Sequence, residues 1–146
     1  MLRTLLAAFA QPEPPERLDT EDARLALAAL MVRAARADDM YEASERTEIL
    51  ARLARRHALP EAQALALLEE AEALEAEAPD TVRFTRLLKQ AVPYEDRTEV
   101  IEALWAVALA DGARAPEEDA FLRQLAPLLG VPDQDSALAR HRAARD

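Results

Sequence analysis

Prolines at positions 60, 79, 93 and 116 each open a new helical segment. A proline fixes its own φ and has no N–H to donate, so a helix can begin with it but cannot run through it undisturbed. Between these breaks the apolar residues recur every three or four positions, and no alternating strand pattern of useful length occurs. Ala, Leu, Glu and Arg dominate, and they lose little side-chain entropy in a helix. The expected fold class is therefore all-α, a compact bundle of about seven helices.

The apolar stripes place the helices. The first begins near Asp19 and Thr20 and carries Leu27, Leu30, Met31 and Ala34 on one face. The second holds Ile49 and Leu53 and ends near His57, and a long third follows Pro60. Pro79 opens a short fourth, and Pro93 a fifth with Ile101, Leu104, Trp105 and Ala108. Pro116 opens a sixth with Phe121, Leu122, Leu125 and Leu129, which Gly130 ends, and a last helix runs over "DQDSALARHRAA". Pro127 lies inside the sixth and should kink or shorten it. "QPEPPER" holds three prolines and cannot be helical. Residues 1–18 are thus read as an N-terminal segment and linker, and 19–146 as the helical domain. "MLRTLLAAFA" is too short to cross a bilayer, which takes about 20 apolar residues, and is expected to dock loosely.

Two stretches share a plan. In "AARADDMYEASERTEIL" and "VALADGARAPEEDAFLRQL" a helix ends in Ala-Asp, and a Glu follows seven residues after that Asp. An apolar residue, Ile49 or Leu122, stands four beyond the Glu. The pattern predicts two pseudo-symmetric helical hairpins. Asp38 and Asp111 continue apolar stripes, and Glu45 and Glu118 begin them. All four carboxylates should then face the edge of the core, where ionised groups need partners. One account makes the acids a cation site. The other makes each Glu a cap at the third helical position, favoured by the positive helix start.

Charge and composition narrow the functions. The net charge of −10 opposes binding to nucleic acid or anionic membranes. No Cys is present, which excludes thiolate metal sites and Cys nucleophiles and is compatible with the expected cytoplasmic location. Only two His occur, so zinc is disfavoured and His57 reads as a cap or packing residue. Neither Ser44 nor Ser136 has a triad around it. Arg83, Arg86 and Lys89 form one basic face, expected to pair with the Glu-rich third helix. Trp105 is expected in the core.

The chain resembles the TerB family of tellurite-resistance-associated helical domains. The resemblance lies in "ARADDMYEASE" and "ALADGARAPEE", with "APDTVRFTRLLKQAV" and "EALWAVALADG", and covers roughly residues 22 to 140. It implies a helical bundle with an acidic cluster that binds a divalent cation. Carried over by position, the cluster is Asp38, Glu45, Asp111 and Glu118. Asp39 stands where the family usually has Gly, so it stiffens the turn or adds a ligand. No His-Pro-Asp motif of a J-domain is present. The implied function is a non-enzymatic module that binds calcium, magnesium or manganese, a protein partner, or both, in tellurite or general stress response. The alternatives are a metal-dependent hydrolase using the same carboxylates and a metal-free structural adaptor.

Overall fold

The computed structural model describes residues 20–37, 41–77, 81–109 and 116–145. The N-terminal segment and linker lie outside the described residues. Seven helices occur among those described: α1 (Thr20–Ala35), α2 (Ala43–Arg56), α3 (Glu61–Glu77), α4 (Thr81–Ala91), α5 (Tyr94–Ala108), α6 (Pro116–Leu128) and α7 (Asp133–Arg145). Each begins at or within a few residues of a position where the sequence supplies a proline, an acid or a capping group.

Helix α1 is the centre. Every residue from Leu25 to Val32 is buried, as are Ala34 and Ala35. The sequence suggested an amphipathic helix with one apolar stripe, but α1 is covered nearly all round. The reason is its position, since α2, α3, α4, α5 and α6 all pack against it. Five of its buried residues are Ala (26, 28, 29, 34 and 35), and small side chains let neighbouring helix axes come close. Trp105 is 2% exposed, so its assignment to the core holds.

The pseudo-symmetry extends beyond two hairpins. Helices α1, α2 and α3 correspond to α5, α6 and α7, with α4 as the bridge. In each half the first helix packs on the third and on the second, and α2 against α5 mirrors α6 against α1. The ends of α2 and α6 agree bond for bond. Leu59 N–H donates to Ala54 O at 2.9 Å and Ala58 N–H to Arg55 O at 3.4 Å. In the second half Val131 donates to Ala126 O at 2.8 Å and Gly130 to Pro127 O at 3.0 Å. Both are helix stops that need a left-handed residue, here Ala58 at φ 52° and Gly130 at φ 75°. Helix α2 has 14 residues and α6 has 13. Pro127 lies in the last turn of α6, consistent with its expected shortening effect.

His57 caps α2 at its C-terminus, at the place where α6 has the buried Leu129. Its Nε2 is buried without a hydrogen-bond partner. Burial, then the charges of Arg24 and Arg56, push its pKa down to about 4. The folded state therefore binds this proton more weakly than the unfolded chain, whose His titrates near 6.5. The neutral ring costs nothing above that pH, and stability falls as pH drops from about 6.5 to about 4.

Two outcomes follow. Ala58→Gly should stabilise the fold by about 0.5–1 kcal/mol in urea unfolding, and Gly130→Ala should destabilise it by about 1 kcal/mol. A Cβ at Gly130 would meet only the flexible ends of Arg97 and Lys89, no nearer than 3.4 Å, so φ sets that cost. His57→Leu should flatten the loss of stability between pH 7 and pH 5; an unchanged slope would show that His57 does not titrate as described.

Candidate functional site

Helices α1 and α2 form a hairpin whose described connecting residues are Arg36, Ala37, Tyr41 and Glu42. Helix α1 ends at Ala35, and Arg36 and Ala37 follow as a turn. Helix α2 starts with a capping box, in which Glu42 occupies the N-cap position and Glu45 the third helical position. Glu45 Oε1 accepts from the Glu42 N–H at 3.4 Å, a long bond. Glu45 is 1% exposed. The sequence placed it at the edge of the core, and it lies fully inside, below Ile49 on the same stripe.

Of the other candidates, Asp38, Asp39 and Asp111 lie outside the described residues. Glu118 occupies the third position of α6, as Glu45 does in α2, and its side chain also falls outside them. Among the described residues no group of three or more His, Asp or Glu is placed to hold a metal.

Arginine–glutamate pairs frame this hairpin. Glu75 of α3 binds two arginines of the first hairpin: Arg36 Nη1 at 2.6 Å and Arg33 Nε at 3.4 Å. Arg33 also donates to Glu75 O at 3.3 Å and to Thr81 Oγ1 at 3.4 Å, and it lies 4.8 Å from the Phe84 ring centre. Glu72, one turn earlier, takes a two-pronged pair from Arg46, both bonds at 3.1 Å. Burial alone would raise the Glu72 carboxyl, but the bonds and charge of Arg46, with Arg36 nearby, bring it below the usual range. The Tyr41 hydroxyl is buried beside Glu72 but does not complete a well-aligned hydrogen bond. Burial first, and then the negative charge of Glu72, push its pKa up. Arg36 stacks over the Tyr41 ring at 5.0 Å. These contacts tie both flanks of the acidic turn, residues 33–36 and 41–46, to α3.

The sequence did not reveal this network. The signal was present as Arg33 and Arg36 one turn apart, opposite Glu72 and Glu75 one turn apart, but pairing them needs the α1–α3 packing. The basic face of α4 was expected to take those glutamates instead. Arg86 and Lys89 are exposed and form no ion pair among the described residues, while Arg83, the third residue of that face, has a partner.

A cleft of about 370 Å³ between α2 and α5 is lined by Met31, Arg52, Arg56, Glu99, Glu102 and Ala103. It lies at the far end of α2 from Glu45, and Glu45 does not line it. Its cations are engaged: Arg52 binds Glu48 at 3.0 Å and Arg56 approaches Glu99 at 3.8 Å. His141 and Ser44 are exposed. No helix among the described residues is long and apolar enough to cross a membrane.

The family model described as "Tellurite resistance protein TerB" matches residues 24–141. Neither the curated proteins nor the solved structures gave a match.

Glu75 is 13% exposed and serves two arginines, so its worth should exceed that of a surface pair, about 0–1 kcal/mol. Glu75→Gln should cost about 1–2 kcal/mol in urea unfolding. Glu77→Gln, at an exposed position on the same helix, should leave stability within about 0.5 kcal/mol. Equal effects at the two sites would show that the network adds nothing beyond surface charge.

Proposed function

The chain belongs to the TerB family, and we propose that it is a non-enzymatic module whose acidic end takes up a divalent cation and, with the ion in place, docks a protein partner. The observation carrying this reading is the carboxylate of Glu45, 1% exposed at the start of α2. Burying an ionised acid is costly unless cations or hydrogen-bond donors offset it. The capping bond to the Glu42 N–H and the positive helix start are among the contacts that offset that cost. A cation shared with Asp38, Asp39, Asp111 and Glu118 would add a further counter-charge at the same place. Carboxylate oxygens are hard ligands, and with no Cys in the chain the matching ions are calcium, magnesium or manganese. The ion would neutralise like charges and leave a site that an acidic or carbonyl group of a partner could complete. A place in tellurite or general stress response follows from family membership alone.

A second reading has an observation of its own. The capping box at Glu42 and Glu45 is what a metal-free structural adaptor would use. The two readings differ in how stability responds to ions. An ion that binds only the folded state, at 100 times its dissociation constant, stabilises it by about 2.7 kcal/mol. Without an ion the clustered acids repel one another, so neutralising one should stabilise the fold. Asp111→Asn should therefore raise the melting temperature in chelator and lower it, relative to wild type, in excess calcium. If the wild-type melting temperature ignores all three ions and Asp111→Asn acts equally in both buffers, the adaptor reading replaces the cation site.

A further inference from the structure

The two halves serve as controls for each other, because each position in the second has a counterpart in the first. When the Ala-Asp turns and the prolines before α3 and α7 are aligned, Val32, Ala64 and Leu68 correspond to Trp105, Ser136 and Arg140. The first three are aliphatic and have no exposed surface. At the same place in the second half stand an indole, a hydroxyl and a guanidinium. Stability alone does not account for the exchange, since the first half shows that the aliphatic set packs on this backbone plan. Departures of this kind from local packing rules concentrate at functional sites.

The polar groups are organised. Trp105 Nε1 donates to Ser136 Oγ at 3.3 Å, and Arg140 lies over the indole at 5.2 Å from the ring centre. With Arg123 of α6 and Asp133 at the start of α7, these residues line a cavity of about 360 Å³. Ser136 is 6% exposed, and its oxygen already accepts from the indole. Thr47 and Thr85 return their hydroxyl protons to the carbonyl one turn back, at 2.9 and 3.1 Å. Ser136 makes no such bond, so its proton is left for the cavity. Arg123 and Arg140 have no ion-pair partner among the described residues, in a chain with 28 acids and 18 Lys and Arg. Two guanidinium groups without an ion-pair partner among the described residues and the Ser136 hydroxyl thus line one space, together with the indole and the Asp133 carboxylate. Asp133 is exposed, at the first residue of α7, where a carboxylate suits the helix start.

We propose that this cavity binds a compact oxyanion, a phosphate or carboxylate group, gripped by Arg123 and Arg140 and by the Ser136 hydroxyl, with the body of the ligand against Trp105. Guanidinium groups match both oxyanions in shape and can bond them through two N–H groups at once. The site lies on the second half only, and it is independent of the cation site.

Trp105 is the single Trp of the chain, so its emission reports on this cavity. The full chain is titrated with sodium phosphate and, separately, with sodium succinate, sodium chloride holding ionic strength constant. The indole N–H signal in a ¹H–¹⁵N spectrum gives a second readout. A saturable change is expected with at least one probe. A response to phosphate alone identifies a phosphate site, one to succinate alone a carboxylate site, and one to both a general oxyanion site. Arg123 is exposed, so Arg123→Gln should fold normally and weaken binding about tenfold or more. Arg140→Leu restores the first half's residue and should abolish binding while the fold persists. If neither readout saturates with either probe, if chloride reproduces the change, or if Arg123→Gln binds as tightly as wild type, the proposal is overturned.

Discussion

The burial of α1 on nearly every side sets how closely the other helices must approach. A chain with few aromatic residues cannot fill a large core with rings, so its helices must approach closely. The alanines of α1 permit this, and Leu25, Leu30 and Met31 fill the remaining space. Each such large side chain contributes about 1.5–3 kcal/mol on burial. The same helix then sets the symmetry: α5 packs on it as its counterpart, and α2 and α6 each reach across to the first helix of the other half.

One position in that helix is charged. Arg33 interrupts the buried run, and an unpartnered guanidinium there would be costly. Glu75, Thr81 and the Phe84 ring receive it. Glu75 also holds Arg36, and Glu72 holds Arg46 from the start of α2. Helix α3 thereby fixes both flanks of the acidic turn. Pre-positioned flanks reduce the ordering cost of binding there, which links the packing of the first half to the proposed cation site.

Much of the fold could be read from the chain because it depends on local chemistry. Prolines marked helix starts, and stripe spacing placed Glu45, Ile49, Leu53 and Trp105 toward the core. What escaped depends on tertiary partners. The full burial of α1 follows from the number of helices around it, and the Arg33–Glu75 pair from the approach of α1 to α3. Both helix stops were legible, near His57 and at Gly130, but Ala58 at positive φ carries no sign in its own identity, whereas Gly130 does. Ser136 looked inert because it lacked a triad; its meaning comes from Trp105, 31 residues away in sequence. Of the candidate cation ligands, the burial of Glu45 is the part that geometry supplies.

The proposed cation site requires the two acidic turns to serve one ion. Manganese is paramagnetic and broadens the amide signals of residues close to it, so titrating it into ¹⁵N-labelled protein at substoichiometric levels locates the ion. The account predicts that signals from residues 41–46 and from 116–119 broaden together, at the same manganese concentration, and recover together when excess magnesium or calcium is added. Broadening confined to one turn, or scattered over exposed carboxylates throughout α3, would contradict it.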